Sequence, residues 1–315
     1  MKRATGRHTD HLETVKICPV CGSRRLRRRF DVRHVMEDPQ HACALELGFA
    51  SATVAACLEC DFLFKLQQPP SAYLHEHYAE SGEDYLASLA EEHSVIREDF
   101  RLARPLLTQA FPKGGRILDI GCASGFFLES LGVNWERFGI ELFHLAAERA
   151  RKCRGLTVHE CDLVTAEFPA QSFDVVCSFD VLEHLPTPML VFQEARRILR
   201  PGGWLLLGTG DAGSLTARLS GSRWTYLCLP EHLSFFSSNS LRKGLAKSGF
   251  SRFRFERIHH GERCRSVATG WIRGVGKHWA IELFGENIIR SGLFRQKTTQ
   301  FFVPYFFDHM ICIAE

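Results

Sequence analysis

The chain has 315 residues, of which 45% are hydrophobic and 24% are charged, and its formal net charge is +3. These values are ordinary for a globular protein of one large domain or two smaller domains. The small net charge does not by itself indicate nucleic-acid binding, and no apolar run approaches the roughly 18 residues of a membrane-spanning helix.

Residues 1–16 are polar and lack the apolar core of a secretion signal, so we predict a disordered tail and a cytoplasmic protein. The chain contains twelve cysteines, and eight of them are scattered singly. Most of these eight lie in apolar stretches, which fits reduced, buried thiols in the cytosol.

Residues 17–66 form a unit framed by two CxxC pairs, Cys18–Cys21 and Cys57–Cys60, with 35 residues between them. Four thiolates suffice for a closed tetrahedral zinc site, which stabilises a unit too small to build its own core. The long gap predicts an elaborated hairpin, with His41 and Cys43 as substitute ligands. The alternatives are a coincidental pattern and a redox role, but a redox pair is expected to begin a helix beside a βαβ unit, and neither pair does so.

The same unit carries one basic cluster, which we call the arginine run, with five arginines from Arg24 to Arg29. It could contact phosphate of RNA or of a nucleotide-linked substrate, or it could be a solvent-exposed flank of the hairpin. No aromatic residue is interleaved with the arginines, so stacking on single-stranded nucleic acid is not indicated.

Residues 67–112 are predicted to form a helical linker that covers the cofactor. They open with a short linker, Gln67–Ser71, and continue with helical apolar spacing, first around Tyr78 and then over residues 87–111. Tyr78 and Tyr85 could close over a cofactor or could be half-buried packing residues.

A strand, a glycine-bearing turn and a helix follow over residues 116–128. The apolar strand is predicted to be buried on both faces, and Gly121 and Gly125 bracket a turn where backbone can approach a ligand closely. A helix starting near Ser124 would aim its N–H groups into that turn. A dinucleotide fingerprint requires glycine at the positions of Ala123 and Phe126, so a different nucleotide cofactor is indicated.

Strands and helices then alternate to residue 258, the pattern of a parallel α/β sheet. The second strand ends at Glu141, an acid that can take both hydroxyls of a ribose. Asp162 follows a third strand, Leu156–Glu160, and Asp180 and His184 follow a fourth strand that ends near Phe179.

The C-terminal part contains a helix near 240–248, a strand at 250–258 and a last strand at 308–313. Residues 259–300 break the pattern with tryptophans and basic residues, and we predict a helical insertion. This insertion is either a substrate lid or an amphipathic element that contacts a membrane surface.

Four motifs occur in one order and spacing: LDIGCASG at 118–125, GIE at 139–141, FDVVCSFDVLEHL at 173–185 and ILRPGGWLLL at 198–207. Together they resemble the class I S-adenosylmethionine-dependent methyltransferases. The resemblance implies a Rossmann-like sheet with helices on both faces. The family usually has glycine where Ala123 stands. Alanine is the mildest replacement when φ stays negative, so we expect a negative φ at Ala123 and a working site.

The resemblance also implies the residues that hold S-adenosylmethionine. Asp119 and Gly121 would hold its methionine part, Glu141 the ribose hydroxyls and Asp162 the adenine amino group. The same resemblance adds five further residues to this set: Cys122, Ala123, Gly125, Phe179 and Asp180.

The combination of both CxxC pairs, the methyltransferase motifs and the segment PEHLSFFS at 230–237 is similar to bacterial zinc-ribbon sugar C-methyltransferases and their shorter relatives. This similarity implies methylation of oxygen or carbon on a saccharide, nucleotide sugar or related metabolite. Members of that family carry a large additional C-terminal domain, whereas about 57 residues follow the strand at 250–258 in this sequence, so the acceptor stays open.

An oxygen or carbon nucleophile needs a base, and the candidates are His184, Glu231 and His232. The resemblance places the Glu231–His232 pair near the substrate, and a carboxylate beside an imidazole can raise the imidazole pKa. The alternatives are that His184 caps the next helix and that Glu231–His232 is a structural loop.

Two rival functions remain open from the sequence. The first is an RNA methyltransferase in which the zinc unit and the arginine run bind phosphates. The second is a non-catalytic protein that uses the fold as a binding module. Under this hypothesis, Ala123 is the first substitution that impairs the cofactor site.

Overall fold

A computed structural model describes residues 12–33, 51–79, 97–258 and 308–315 of the chain. The strands are β1 Glu13–Thr14, β2 Leu26–Arg33, β3 Ser51–Cys57, β4 Leu63–Lys65, β5 Gln67–Gln68, β6 Gly115–Ile120, β7 Trp135–Ile140, β8 Leu156–His159, β9 Phe173–Phe179, β10 Leu199–Gly210, β11 Ser234–Phe235, β12 Phe253–Ile258 and β13 His309–Ala314. The α-helices are α1 Ser71–Ala79, α2 Glu98–Ala110, α3 Phe126–Glu129, α4 His144–Arg151, α5 Pro188–Ile198, α6 Leu215–Ser220, α7 Thr225–Cys228 and α8 Ser238–Lys247. Two short 3-10 turns lie at Leu182–His184 and Gly221–Arg223.

The central sheet has seven strands in the order β12-β13-β10-β9-β6-β7-β8. Strands β6 to β10 run parallel, and β13 lies antiparallel between β10 and β12. This arrangement confirms the predicted α/β fold with a Rossmann-like sheet. It brings the carboxyl ends of β6, β7, β9 and β10 to one edge, where open sheets of this kind bind ligands.

Side-chain alternation along the central strands creates two apolar layers, one on each face of the sheet. Ile117 packs in the layer with α2, α3 and α4, and its neighbour Leu118 packs in the layer with α5 and α8. Both side chains are fully buried. Helices therefore cover both faces, as the apolar run of β6 predicted.

A second, four-stranded sheet has the order β11-β4-β3-β2 and carries the N-terminal cysteines. Its β2–β3 pairing is antiparallel, with a bulge between Arg28 and Phe30, in agreement with the predicted hairpin. Residues 34–50, with His41 and Cys43, lie outside the described residues.

The small sheet contains a strand from a distant part of the chain. β11 follows the Leu229–His232 segment and pairs antiparallel with β4. The backbone N–H of Lys65 donates to the carbonyl of Leu233 at 2.9 Å, and the N–H of Leu233 donates to the carbonyl of Glu183 at 2.7 Å. Backbone pairing thus connects the cysteine-framed unit directly to the carboxyl edge of the central sheet.

Several sequence-based boundaries need correction. Residues 1–16 are not disordered throughout, because Glu13–Thr14 pair antiparallel with Gln67–Gln68. For the same reason the predicted linker begins as a strand. The helix expected near Ser124 starts at Phe126 and has only four residues. Tyr85 and the insertion at 259–300 lie outside the described residues, and within the described ranges no helix is both long and apolar enough to cross a membrane.

Candidate active site

The turn after β6 has left-handed backbone at three positions: Gly121 at φ 71°, Ala123 at φ 46° and Gly125 at φ 80°. A Cβ on Gly121 would lie 2.4 Å from Cγ2 of Val181, so only glycine fits there. The expectation that φ of Ala123 stays negative is wrong. Ala123 is held in this strained conformation by its N–H, which donates to Oε2 of Glu141 at 2.8 Å.

Ala123→Gly should raise the free energy of unfolding by about 0.5–1 kcal/mol, because relief of left-handed strain exceeds the added entropy of the unfolded chain. Chemical denaturation with and without the substitution measures this change. Ala146→Gly in α4 is the matched control and should lower stability by about 1 kcal/mol or more. A destabilised Ala123→Gly protein would contradict the strain argument.

Glu141 accepts hydrogen bonds from both loops of the expected cofactor site, the loop of Ala123 and the loop of Phe143. Its Oε2 accepts from Ala123 and its Oε1 accepts from the N–H of Phe143 at 2.9 Å. Burial raises the pKa of this carboxyl, and the two backbone N–H donors act against that rise. Each carboxylate oxygen has a second lone pair, so Glu141 can keep both backbone contacts and still accept from ribose hydroxyls.

Glu141→Ala should weaken binding of S-adenosylmethionine by about 1.5–3 kcal/mol, the value of hydrogen bonds to a charged group. Titration calorimetry measures the loss. Glu141→Gln is the control, because it keeps one acceptor oxygen and should lose less. Undiminished affinity in the alanine variant would refute the placement of the ribose.

Asp119 is 3% exposed at the end of β6. Burial raises the pKa of its carboxyl to about 7, while a hydrogen bond from the thiol of Cys177 at 3.4 Å acts in the opposite direction. A buried carboxyl of this kind favours a cationic partner. The methionine part of S-adenosylmethionine carries such a cation.

The remaining cofactor candidates have structural roles already. Both oxygens of Asp162 accept hydrogen bonds within its own turn, from Val164 and Thr165, at 2.8 Å each. Phe179 is buried in an aromatic cluster, with ring centroids 5.2 Å from Phe100 and 4.8 Å from Phe127. Its side chain supports the sheet edge from within the core. The thiol of Cys122 is likewise buried, close to Gly139.

Asp180 has a partner that sequence reasoning missed. Arg97, immediately before α2, forms ion pairs with both Asp99 and Asp180, and its guanidinium lies 4.8 Å from the centroid of the Phe100 ring. Asp180 itself has left-handed backbone at φ 53°. No local signal marks Arg97, because it meets Asp180 only through tertiary packing.

The two histidines predicted as bases meet at the same sheet edge. Their ring centroids are 4.8 Å apart in an edge-to-face arrangement. Nδ1 of His184 lies 2.9 Å from the hydroxyl of Tyr78, and Nδ1 of His232 lies 3.0 Å from the carbonyl oxygen of Tyr226. His184 is not the cap of the next helix, because α5 begins at Pro188 with Thr187 at its N-cap.

Glu183 completes this cluster and was not predicted. Its side chain is 1% exposed, and its two oxygens accept from the hydroxyls of Thr209 at 2.9 Å and Tyr226 at 2.5 Å. Burial raises the pKa of the Glu183 carboxyl, with Asp180 adding to the rise and His184 opposing it. The available sequence signal was its position beside His184 in the LEH triplet. One ligand atom from each of Glu183, His184 and His232 lies within 4.8 Å of the others.

The loop that carries Glu231 and His232 is held by Lys65 of the cysteine-framed unit. The ammonium of this fully buried lysine donates to the carbonyl oxygens of Leu229 at 2.6 Å and Pro230 at 3.1 Å. Burial lowers the pKa of Lys65 to about 7, and the charge of Glu231 opposes that shift. The contact of Nδ1 with the Tyr226 carbonyl orients the His232 ring.

The four predicted cysteines form one cluster. The sulfur–sulfur distances are 3.5 Å for Cys18–Cys60 and 3.4 Å for Cys21–Cys57, and all four sulfurs lie within 4.8 Å of one another. These distances exceed the roughly 2.05 Å of a disulfide and approach the roughly 3.8 Å between sulfurs of a tetrahedral zinc site. The four residues therefore could hold one zinc ion with no open position.

The arginine run is exposed, and acidic residues neutralise part of it. Arg25 pairs with Glu59 and Arg28 pairs with Asp31, each at 2.5 Å. The guanidinium of Arg29 lies 5.3 Å from the Phe30 ring centroid. Local pairing favours the solvent-exposed flank over a dedicated phosphate-binding surface.

The sequence model of one family, described as a methyltransferase domain, matches residues 95–252, which is half of the chain. The matched segment runs from just before Arg97 to the start of β12. It therefore includes the cofactor-side carboxylates, both histidines and Glu183.

Two curated relatives share this region. A ubiquinone biosynthesis O-methyltransferase of Thiobacillus denitrificans is 33% identical over 39% of this chain and 57% of its own length. A tRNA U34 carboxymethyltransferase of Alteromonas mediterranea is 27% identical over 51% of this chain and 52% of its own length. The chain thus spans about half the length of the curated relatives it matches.

Among solved structures, phosphoethanolamine N-methyltransferase 2 of Haemonchus contortus, in complex with S-adenosyl-L-methionine, is 17% identical. The match covers 92% of this chain and 68% of that chain, with a TM-score of 0.48.

Proposed function

Because the chain belongs to the methyltransferase-domain family, we propose that it is an S-adenosylmethionine-dependent methyltransferase acting on oxygen or carbon of a small molecule. One observation carries the proposal. The buried carboxylate Asp119, the half-buried carboxylate Glu141 and the facing pair His184 and His232 lie at the same carboxyl edge of one parallel sheet.

The residues of the first turn fit this cofactor. A buried and a half-buried carboxyl, both with raised pKa values, suit a ligand that carries cations and hydroxyls, and the glycine at 121 lets the turn backbone pass close against Val181. Asp119 and Gly121 would hold the methionine part, and Glu141 would hold the ribose. When bound, the cofactor supplies a methyl group on a positively charged sulfur.

The chain's own residues then orient the acceptor. Methyl transfer is an in-line displacement, so positioning of the nucleophile supplies much of the rate. His184 and His232, with Glu231 beside them, receive the acceptor proton or hold the acceptor in place. Glu183 and His184, on the acceptor side of the site, lie only a few residues after Asp180, on the cofactor side. One short segment of the chain therefore contributes to both sides.

A saccharide, nucleotide sugar or related metabolite is the proposed acceptor class. The support is the similarity to zinc-ribbon sugar C-methyltransferases, now joined by a four-cysteine cluster close enough for one structural zinc ion. Methylation of oxygen is supported by the O-methyltransferase relative. RNA is a less favoured acceptor, because two arginines of the arginine run are paired with acids.

The test is a methyl-transfer screen with radiolabelled S-adenosylmethionine against nucleotide sugars, hydroxylated metabolites and RNA. Label in a small molecule, lost in Asp119→Asn, would support the proposal. Label in RNA with a steep fall in binding at higher salt would favour the RNA reading. A protein that binds the cofactor tightly yet labels nothing in any fraction would favour the binding-module reading.

Affinity for S-adenosylmethionine should fall as the pH falls below about 7. The cationic ligand needs the ionised form of Asp119, whose pKa burial raises to about 7. Below that pKa, the ionised fraction drops about tenfold per pH unit, and affinity should drop with it. Calorimetry at about pH 7.5 and about pH 5.5 measures the trend. Affinity that does not change over this range would remove Asp119 as the partner of the ligand cation.

A further inference from the structure

We propose that Glu183, His184 and His232 form a metal site, distinct from the four cysteines, for a divalent first-row transition metal that binds the hydroxyl oxygen of the acceptor. This inference rests on the proposed methyl transfer. It assigns His232 as a metal ligand and narrows the acceptor to one with a hydroxyl group.

The first support is proximity. One ligand atom of each residue lies within 4.8 Å of the other two. Ligand atoms around a single zinc ion with bonds of 2.0–2.1 Å are about 3.4 Å apart. An ion would therefore draw the three side chains together by about an ångström, which needs only small side-chain adjustments.

The second support is the pair of hydrogen-bond contacts that the two histidine rings make through Nδ1. Histidine ligands generally hydrogen-bond through the other ring nitrogen to a carbonyl or similar group. Nδ1 of His232 lies 3.0 Å from the Tyr226 carbonyl, which can only accept, so Nδ1 carries the proton and Nε2 carries the lone pair of the neutral ring. Nδ1 of His184 has the hydroxyl of Tyr78 at 2.9 Å. These contacts fix the rings as they are fixed in metal sites.

The third support is charge. Glu183 is 1% exposed, and the hydroxyls of Thr209 and Tyr226 that bond its two oxygens are neutral. A buried carboxylate is costly unless a cation compensates it. Arg97 is already paired with Asp99 and Asp180. A divalent ion between Glu183 and the two imidazoles would supply the positive charge.

The donor set indicates the metal. Two imidazoles and one carboxylate suit zinc, manganese, iron or cobalt, while magnesium and calcium favour oxygen ligands throughout. Three protein ligands leave a position open for an oxygen of the acceptor. A bound metal lowers the pKa of a coordinated hydroxyl, which makes its oxygen a better nucleophile near neutral pH.

The reaction balances without any other reagent. The coordinated hydroxyl releases its proton to solvent, and a lone pair of its oxygen forms the bond to the methyl carbon. The bond from that carbon to the sulfonium breaks, and its electron pair remains on sulfur. The products are a methyl ether, a neutral thioether and one proton.

Mn²⁺ is the probe, because thiolate sites such as the four cysteines prefer softer metals. Mn²⁺ binding to the full chain is measured by electron paramagnetic resonance. We expect one bound ion in the unsubstituted protein and at least tenfold weaker binding in both Glu183→Gln and His184→Asn. Circular dichroism and S-adenosylmethionine binding check that each variant is folded. His144→Ala is the matched control, because this exposed imidazole lies among Glu148 and Glu160 and should not affect the bound ion.

No bound Mn²⁺ in the folded protein, or loss of binding only in His144→Ala, would overturn the metal site. Methyl transfer that proceeds at full rate after chelation, with Mn²⁺ giving no increase, would also overturn it while leaving the proposed function intact. Conversely, Mn²⁺ bound as expected with no methyl transfer to any hydroxylated acceptor would support the site and count against the proposed function.

Discussion

Replacing His232 with alanine should lower the turnover of methyl transfer about a hundredfold or more, with little change in affinity for the cofactor. His232 is buried at the carboxyl edge of the sheet, and its ring faces His184 at 4.8 Å. The substitution removes either the base that takes the proton of the methyl acceptor or a ligand of the proposed ion. In either case the reacting oxygen of the methyl acceptor becomes a poorer nucleophile. The cofactor contacts at Asp119 and Glu141 belong to different strands and should persist.

Steady-state kinetics on the identified acceptor, together with calorimetry of S-adenosylmethionine, measure both quantities. Tyr226→Phe is a second variant for comparison. It removes the hydrogen bond from the Tyr226 hydroxyl to Glu183 but keeps the contact of the Tyr226 carbonyl with His232, so it separates the role of Glu183 from that of His232. Normal turnover in His232→Ala would exclude His232 from the mechanism and transfer the assignment to His184. If neither histidine affected the rate, positioning alone would have to account for the reaction.

Removal of the zinc ion that we predict at the four-cysteine cluster should cost stability on the scale of the whole fold. Zinc bound to such thiolate sites contributes about 10–16 kcal/mol in small peptides, while a domain is stable by only about 5–15 kcal/mol. Three of the four cysteines are fully buried, and the cluster packs in the same apolar layer as Phe62 and Leu241. A disturbance there therefore reaches the central sheet.

Purified protein should contain about one equivalent of zinc, and Cys57→Ser or chelation should lower the thermal midpoint by about 10 °C or more. Metal analysis and calorimetric melting are the measurements. Cys153→Ser, which changes a half-buried cysteine outside the cluster, is the control and should alter neither value strongly. Protein purified without chelators that is metal-free and melts at the same temperature as the zinc-loaded form would contradict this prediction.

The sequence was sufficient where the signal is local. Apolar runs and turn glycines predicted β6, β9 and the turn at Gly121, since burial on both faces requires such runs and a sharp turn requires such residues. The two CxxC pairs predicted a cluster that the structure brings together. By contrast, the left-handed φ of Ala123 could not be predicted, because the Glu141 contact that holds it comes from another strand.

By itself, the sequence determined the α/β fold, the order of its motifs and the residues from which a cofactor site could be built, because periodicity and spacing are properties of the chain. Only the tertiary structure decided which of these residues act together. It brought Arg97 to Asp180, joined Glu183 to the two histidines and placed Lys65 beneath the loop of His232. The partners of Lys65 lie more than 160 positions away in the chain. Such contacts arise from the packing of whole strands and from the need of buried charges for partners, which no local pattern specifies.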